Sequence, residues 1–386
     1  MKWDLRPIVV LDSTPAMFPG VTQTSDGLLV SFSTVPDGMP GGQIGVVRSR
    51  DGGRTWGEPT IVVEPADEEE AALTQVALRR LADGTLLMPF CRVRIRGGYG
   101  KRQATLHMAR SDDDGETWEL SDPLQLDFLE PLTYGAVVET HPGRVLVPIW
   151  GRQREGERWR SSVAVSDDGG RTWARETTTI AYDPDARLRT AYAQPRANSL
   201  DEHGEPRFEN ISDPEFRPHA DVDGFNETSI ARLSDGLLVA IMRQQGVDGE
   251  EALWLYRSES RDDGATWSPY ERLALTGMSP ALHVLSDDTL LLGHRVYAPD
   301  GGDVRPATVV AHSHDAGRTW VDHVELLDPK GFRWTSEYQT GYPDFAELED
   351  GSVLAVFYSL DPALGNQRYL AANLLRRDRD GGANSG

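Results

Sequence analysis

One eight-residue pattern, Ser-x-Asp-x-Gly-x-Thr-Trp, recurs five times and constrains the fold more than any other feature of the chain. Its copies run from Ser49 to Trp56, Ser111 to Trp118, Ser166 to Trp173, Ser260 to Trp267 and Ser313 to Trp320. The serines are 62, 55, 94 and 53 residues apart. Spacing of this order signals a solenoid, a propeller or an array, because one unit cannot bury its own apolar face. Within the pattern, Ser and Asp can bond backbone N–H groups, Gly takes a positive φ, and Trp packs between units. Ser111-Asp112-Asp113-Asp114-Gly115 holds three adjacent acids, yet it lacks the twelve-residue ligand spacing of a calcium loop and reads as a turn.

Each copy follows the same order of elements: a short apolar strand, a tight turn, a second apolar strand, a variable loop and a third strand. The turns are Ser25-Asp26-Gly27, Ala82-Asp83-Gly84, Pro142-Gly143, Ser234-Asp235-Gly236 and Ser286-Asp287-Asp288. Asp-Gly between apolar runs is a hairpin signal, since Gly supplies positive φ without steric cost. A sixth unit, Tyr342 to Leu375, has the turn Glu349-Asp350-Gly351 but no box. Long amphipathic helical patterns are absent. The expectation is an all-β fold, a six-bladed β-propeller with five Asp boxes, in which radial repetition leaves only short, protected edges. Residues 1–386 then form a single domain, with the strand Leu5 to Leu11 closing the ring. An insertion at about 182–223, rich in Pro, Asp and Arg, reads as a long functional loop, and residues 377–386 as a disordered tail.

The chain carries 39 basic against 61 acidic residues, a formal charge of −22. That charge argues against nucleic acid, whose phosphates need clustered cations, and against anionic membrane surfaces. The single cysteine, Cys91, excludes a disulfide framework. No signal peptide and no apolar run long enough to span a bilayer are visible, so a cytoplasmic location is expected. No metal-ligand spacing accompanies Cys91 or His294, which read as packing residues, and neither a metal nor an organic cofactor is expected.

Strand direction alternates within a blade, so the hairpin turns and the boxes share one face, and the variable loops share the other. Reading only the variable face yields Asp37, Arg92 with its neighbours Arg94, Arg96, Lys101 and Arg102, then Tyr134, Trp150, Arg152, Glu227, Arg243, His294, Arg295, Arg305 and Tyr342. Basic residues gather there although the chain is acidic. This contrast points to a locally positive pocket for a small anionic or polyhydroxylated ligand, which the resemblance given below narrows to a carbohydrate partner. The oligomeric state is not legible in the sequence.

These boxes and residues resemble the sialidase (neuraminidase) superfamily across essentially the whole chain. The resemblance implies a retaining exo-glycosidase that removes a terminal acidic sugar, sialic acid or a related ulosonic acid, with an Asp acid/base, a Tyr nucleophile assisted by Glu, and arginines gripping the sugar carboxylate. On that basis Asp37, Glu227 and Tyr342 are the catalytic candidates. Arg243, Arg305, Arg295, Arg92 and Tyr134 are the substrate-binding ones, with Arg295 competing with Arg305 for one role. The family's first arginine stands in an Arg-Ile-Pro-like motif; here the stretch is Met17-Phe18-Pro19, so Met17 takes its place. The blade-two cluster and Arg187 and Arg189 of the insertion are candidates to replace it.

The chemistry implied is coherent. A phenol with an ordinary pKa of about 10 is a weak nucleophile and needs a neighbouring base such as Glu227. Asp37 would protonate the departing oxygen and then activate water. Two alternatives stay open: an exo-glycosidase for a different sugar, as in arabinanase-like propellers where two carboxylates do the work, and a carbohydrate-binding propeller without catalysis.

Overall fold

The computed structural model describes residues 3–35, 39–95, 102–184, 192–200, 206–211, 224–245, 254–300, 303–333, 340–365 and 367–377. Strands consecutive in sequence pair antiparallel into six sheets around a central axis. Blade one comprises Met17–Thr24, Gly27–Ser33, Ile44–Ser49 and Thr60–Val63, ordered from the axis outward. Blades two to five repeat this order, and the first strands of neighbouring blades touch one another. Blade six takes Gly341–Glu347, Val353–Asp361 and Gln367–Arg377 from the C-terminal end. Its fourth strand is Trp3–Leu11, paired antiparallel with Gln367–Arg377. The ring therefore closes through backbone hydrogen bonds between the two ends of the chain. Among its described residues the insertion contains one antiparallel pair, Tyr192–Leu200 with Pro206–Ile211. The predicted tail beyond Arg377 lies outside the described residues.

The second strand of each blade is sandwiched by its neighbours, which explains its unbroken apolar runs. Every residue of Val353–Asp361 is buried, and Leu28–Ser33 are buried likewise. Strands covered on both faces lose the alternation that a half-exposed strand shows.

The recurrent turns are made as their composition demands. In the third blade Ser166 Oγ donates to Asp168 Oδ1 at 2.8 Å, Gly170 N–H donates to Ser166 Oγ at 2.9 Å, and Thr172 Oγ1 donates to Asp168 Oδ2 at 2.6 Å. The same bonds recur at Ser49, Ser111, Ser260 and Ser313. The second glycine of the turn also seals a blade interface. Gly170 sits at φ 84°, and a Cβ there would stand 2.7 Å from Leu87 of the preceding blade. Gly115 meets Leu29 and Gly264 meets Leu146 in the same way.

A second recurrent feature sits near the start of each innermost strand. One residue per blade turns left-handed: Phe18 (φ 56°), Val76 (57°), Gly135 (85°), Glu227 (44°), Ser279 (52°) and Tyr342 (54°). Pairing with the second strand slips at these points, between Met17 and Gly20, Asn226 and Ser229, Met278 and Ala281, and Gly341 and Asp344. In blades two and three the inner strand is interrupted there altogether. A non-glycine residue in this region costs about 1–3 kcal/mol and persists where surrounding structure over-determines it. The compensation is visible between blades: Gly135 N–H donates to Gln75 O at 3.1 Å, and Val76 N–H to Phe18 O at 3.5 Å.

Two outcomes follow from these turns. Gly170→Ala should destabilise the protein by about 1–3 kcal/mol, read as a lower denaturant midpoint, because it adds both a strained φ and a clash with Leu87. Thr55 and Thr117 hydroxyls and N–H groups hold the Asp51 and Asp113 carboxyls down to about 2. At Asp168 and Asp315 burial pushes upward, but the same kinds of bond win and the value again falls to about 2. Folded values below the unfolded one of about 3.9 mean that this contribution to stability is complete above about pH 4 and is lost as pH falls towards about 2. Melting temperatures should begin to fall below about pH 6.5, where His283 and His294 would take up protons in the unfolded chain but burial holds them neutral in the folded one. They should fall more steeply from about pH 4 towards about 2 as the turn aspartates protonate.

Candidate functional site

The left-handed turns aim two side chains, from the blades on either side of blade five, at one point. Tyr342, from blade six, donates its hydroxyl to Glu227 Oε1 of blade four at 2.7 Å. The other carboxylate oxygen, Oε2, accepts Arg243 Nη1 at 3.1 Å and the backbone N–H of Ser279 at 3.0 Å. Ser279 is itself the left-handed residue of blade five, so one blade's turn supplies the donor that holds the preceding blade's acid. Glu227 is 5% exposed. Burial alone would raise its pKa, yet Arg243, the Tyr342 hydroxyl and Arg295 together hold it below the usual carboxylate value. Glu227 is therefore ionised at neutral pH and poised to accept a proton from Tyr342.

The two arginines occupy equivalent places. Arg243 lies opposite Asn226 and Arg295 opposite Met278, in each blade the residue before the left-handed one. Tyr358 holds the corresponding place in blade six, opposite Gly341. Arg295 Nη1 donates to Thr340 O at 3.2 Å and to the Tyr358 hydroxyl at 3.4 Å, so it also braces the segment that leads into Tyr342. Arg305 is elsewhere: it pairs with Ala298 on the outer part of the blade-five hairpin, and its guanidinium bonds Glu325 Oε2 at 2.6 Å. Of the two competing arginines, the fold brings Arg295 to the Glu227–Tyr342 pair.

The phenol packs among other aromatic rings. The Tyr342 ring has Phe18 at 4.4 Å, Tyr134 at 5.6 Å in an edge contact and Tyr358 at 6.0 Å. Tyr134 is fully buried, and its hydroxyl is without a hydrogen-bond partner among the described residues. Burial first, then the charge of Glu227, raises its pKa well above the ordinary phenol value, so it stays neutral. Met17 is buried in the core at 2% exposure and presents no charge where the resemblance would place an arginine.

Arg92 lies apart, bonded to Glu70 and to Glu64 O, while Arg94 engages Asp67 and Glu70. Glu70 in turn anchors the blade-one loop, since Gly41 N–H donates to Glu70 O at 2.9 Å and Ala72 N–H to Gly42 O at 2.9 Å. Asp37, a few residues earlier in that loop, lies outside the described residues, as do Arg96, Lys101, Arg187 and Arg189. His294 is fully buried and burial holds it neutral, at about 3. Cys91 is buried with its thiol towards Pro131 O at 3.6 Å. A cavity of about 530 Å³ opens at the other mouth of the channel, lined by Val21, Gln23, Arg79, His283 and Glu347. It belongs to the box face, where the inner strands end, and holds no acid–phenol pair.

Sequence reasoning did not single out Ser279, Phe18, Arg79 or Asp344. A signal for the first two was present: Met17-Phe18-Pro19, Met278-Ser279-Pro280 and Gly341-Tyr342-Pro343 align on proline, and the middle residue is left-handed in all three.

The chain matches the family profile described as a BNR repeat-like domain over residues 28–355. A protein named sialidase from Paraclostridium sordellii is 24% identical over 273 residues, covering 66% of this chain and 57% of its own length. Among solved structures, a protein of unknown function from Dyadobacter fermentans superposes with a TM-score of 0.68 at 21% identity, covering 97% of this chain and 99% of its own. A Hadza microbial sialidase superposes with a TM-score of 0.60 at 19% identity, covering 93% and 65%. At these identities the solved structures show a shared fold.

Removing the partnerless hydroxyl with Tyr134→Phe should leave the chain folded and raise its stability by about 1 kcal/mol, since a buried donor without a partner is a net cost. Denaturant unfolding reads this directly; a loss of stability would mean that the hydroxyl is bonded in solution.

Proposed function

We propose that this chain, which belongs to the BNR repeat-like domain family, is a retaining exo-glycosidase that releases a terminal acidic sugar, sialic acid or a related ulosonic acid. The observation that carries the reading is the 2.7 Å bond from the Tyr342 hydroxyl to an ionised, buried Glu227. A phenol bonded to a carboxylate that Arg243 and Ser279 already hold in place is a nucleophile with its base attached. The resemblance of the relatives named as sialidases supports the reading as well, although the chain spans only 57% of the curated one.

In the first step the Tyr342 oxygen attacks the anomeric carbon while its proton passes to Glu227. The glycosidic bond breaks, and the departing oxygen takes a proton from Asp37. In the second step the Asp37 carboxylate removes a proton from water as that water attacks the same carbon. The Tyr342–sugar bond breaks, and Glu227 returns its proton to Tyr342. Two inversions give retention, and sialidases are the recognised group of glycosidases that use Tyr as nucleophile. Glu227 keeps one strong acceptor for the Tyr342 proton because Oε2 is already saturated by Arg243 and Ser279. Arg243 and Arg295 are the cations beside the pair that would meet the sugar's carboxylate.

A two-carboxylate mechanism is less well supported. The buried carboxylate on the nucleophile's own strand, Asp344, is occupied by Arg79 and the Val21 N–H. The binding-only reading draws on one observation, the buried Met17 in the place of the family's first arginine.

A panel of aryl glycosides, acidic and neutral, tests the function. Wild type should release the aglycone from an aryl sialoside. Tyr342→Phe should abolish that release, and Glu227→Gln should lower kcat by about 10²–10⁴-fold, the usual worth of a general base, with both variants folded by circular dichroism. Ligand binding without any release from acidic sugars would instead support a binding propeller.

A further inference from the structure

Tyr342 and Glu227 reach their contact from the two blades that flank blade five, and the two strands are anchored differently. Glu227 hangs between blades four and five, gripped by Arg243 and the Ser279 N–H. Tyr342 is steadied by ring contacts with Phe18, Tyr134 and Tyr358 and not by strand pairing. It is left-handed, it precedes Pro343, which has no N–H to give, and pairing with Val353–Asp361 lapses between Gly341 and Asp344. Arg295 steadies the strand before this gap, through Thr340 O.

On the far side of the gap stands Asp344, opposite Val356 where pairing resumes. Its side chain leaves its own blade. Oδ2 accepts the Val21 N–H of blade one at 2.8 Å and Arg79 Nη1 of blade two at 3.1 Å, and Oδ1 accepts Arg79 Nη2 at 3.0 Å. Arg79 Nη1 also donates to Val21 O at 2.7 Å. One carboxylate and one guanidinium thus tie blades six, one and two together at the axis. Asp344 is 1% exposed, and burial raises its pKa against the opposing pull of Arg79.

Stability alone does not account for such a device. A buried ion pair is often matched or exceeded in stability by apolar residues of similar volume, whereas its fork geometry fixes direction and register. The residue whose register needs fixing is two positions away. We propose that Asp344, acting through Arg79, is a positioning residue that holds the strand of Tyr342 so that its hydroxyl meets Glu227.

This inference rests on the catalytic reading of Tyr342 and Glu227, and its test separates the two. Steady-state kinetics on the aryl sialoside should show Asp344→Asn lowering kcat by about 10²-fold with KM within about twofold, the penalty expected for displacing a reacting group by about 1 Å. Arg79→Lys, which keeps the charge but loses the fork, should lie between wild type and Asp344→Asn. Asp344→Asn combined with Arg79→Gln should cost no more than Asp344→Asn alone, as members of one unit do. Crystal structures of Asp344→Asn and Arg79→Lys should show the Tyr342–Glu227 contact opened beyond about 3.5 Å, outside hydrogen-bond range. A folded Asp344→Asn with kcat within about twofold of wild type overturns the proposal, as does an unchanged contact in the crystals. If Asp344→Asn does not fold, Arg79→Lys carries the same two readouts. If wild type turns over no acidic glycoside, the proposed function fails, and the crystal distance alone decides whether Asp344 positions Tyr342.

Discussion

A single backbone constraint, one left-handed residue near the start of every innermost strand, shapes the centre of this molecule. In a continuous strand, side chains alternate strictly between faces, and inner-strand residues would serve only packing between blades. The slip at Phe18, Glu227, Ser279 and Tyr342 redirects the chain by one residue. Bulges act in this way elsewhere, re-aiming a side chain beside a site. Two of the redirected positions carry the acid and the phenol, a third donates its N–H to the acid, and a fourth packs its ring on the phenol. The strain at each is offset by contacts with the neighbouring blade, so site and ring closure support each other.

Charge is distributed less simply than a positive pocket in an acidic scaffold. Acid does gather in the turns of the box face, where Asp51, Asp113, Asp168 and Asp315 are saturated by their own loops. On the other face, however, described arginines are matched by acids: Arg92 and Arg94 by Glu70 and Asp67, Arg305 by Glu325, and Arg152 by Glu130. Arg243 is bonded to Glu227 itself. A carboxylate ligand would therefore meet guanidinium groups already partly engaged, which makes geometry rather than net charge the basis of selection.

The architecture also divides labour between levels of the channel. Near the start of the inner strands, towards the variable face, the Tyr342–Glu227 pair stands among the rings of Phe18, Tyr134 and Tyr358, and two residues further along the strand of Tyr342 comes the ion pair of Asp344 with Arg79. The aromatic rings pack on the phenol, while the ion pair ties blades six, one and two together. Boxes and hairpin turns lie at the opposite end and do neither; they seal the blade interfaces.

Much of the fold was legible in the chain because its determinants are local. Ser166, Asp168, Gly170 and Thr172 sit within one turn, and the apolar runs of the second strands need no distant partner to be recognised. Closure by the N-terminal strand was expected at Leu5–Leu11, and the observed Trp3–Leu11 extends it by two residues. Glu227, Tyr342 and Arg243 could be named from their positions in the repeat. Their convergence could not, since Tyr342 and Glu227 are 115 residues apart and meet only when blades four and six pack on either side of blade five. Nor could the preference for Arg295 over Arg305, which depends on how far each lies from the axis along one hairpin. The bond between Asp344 and Arg79, 265 residues apart, was invisible for the same reason. Repetition along the chain determines the blades, because each is a local structure; the site is decided by the closed ring, because only there do left-handed turns from different blades face one another across a common axis.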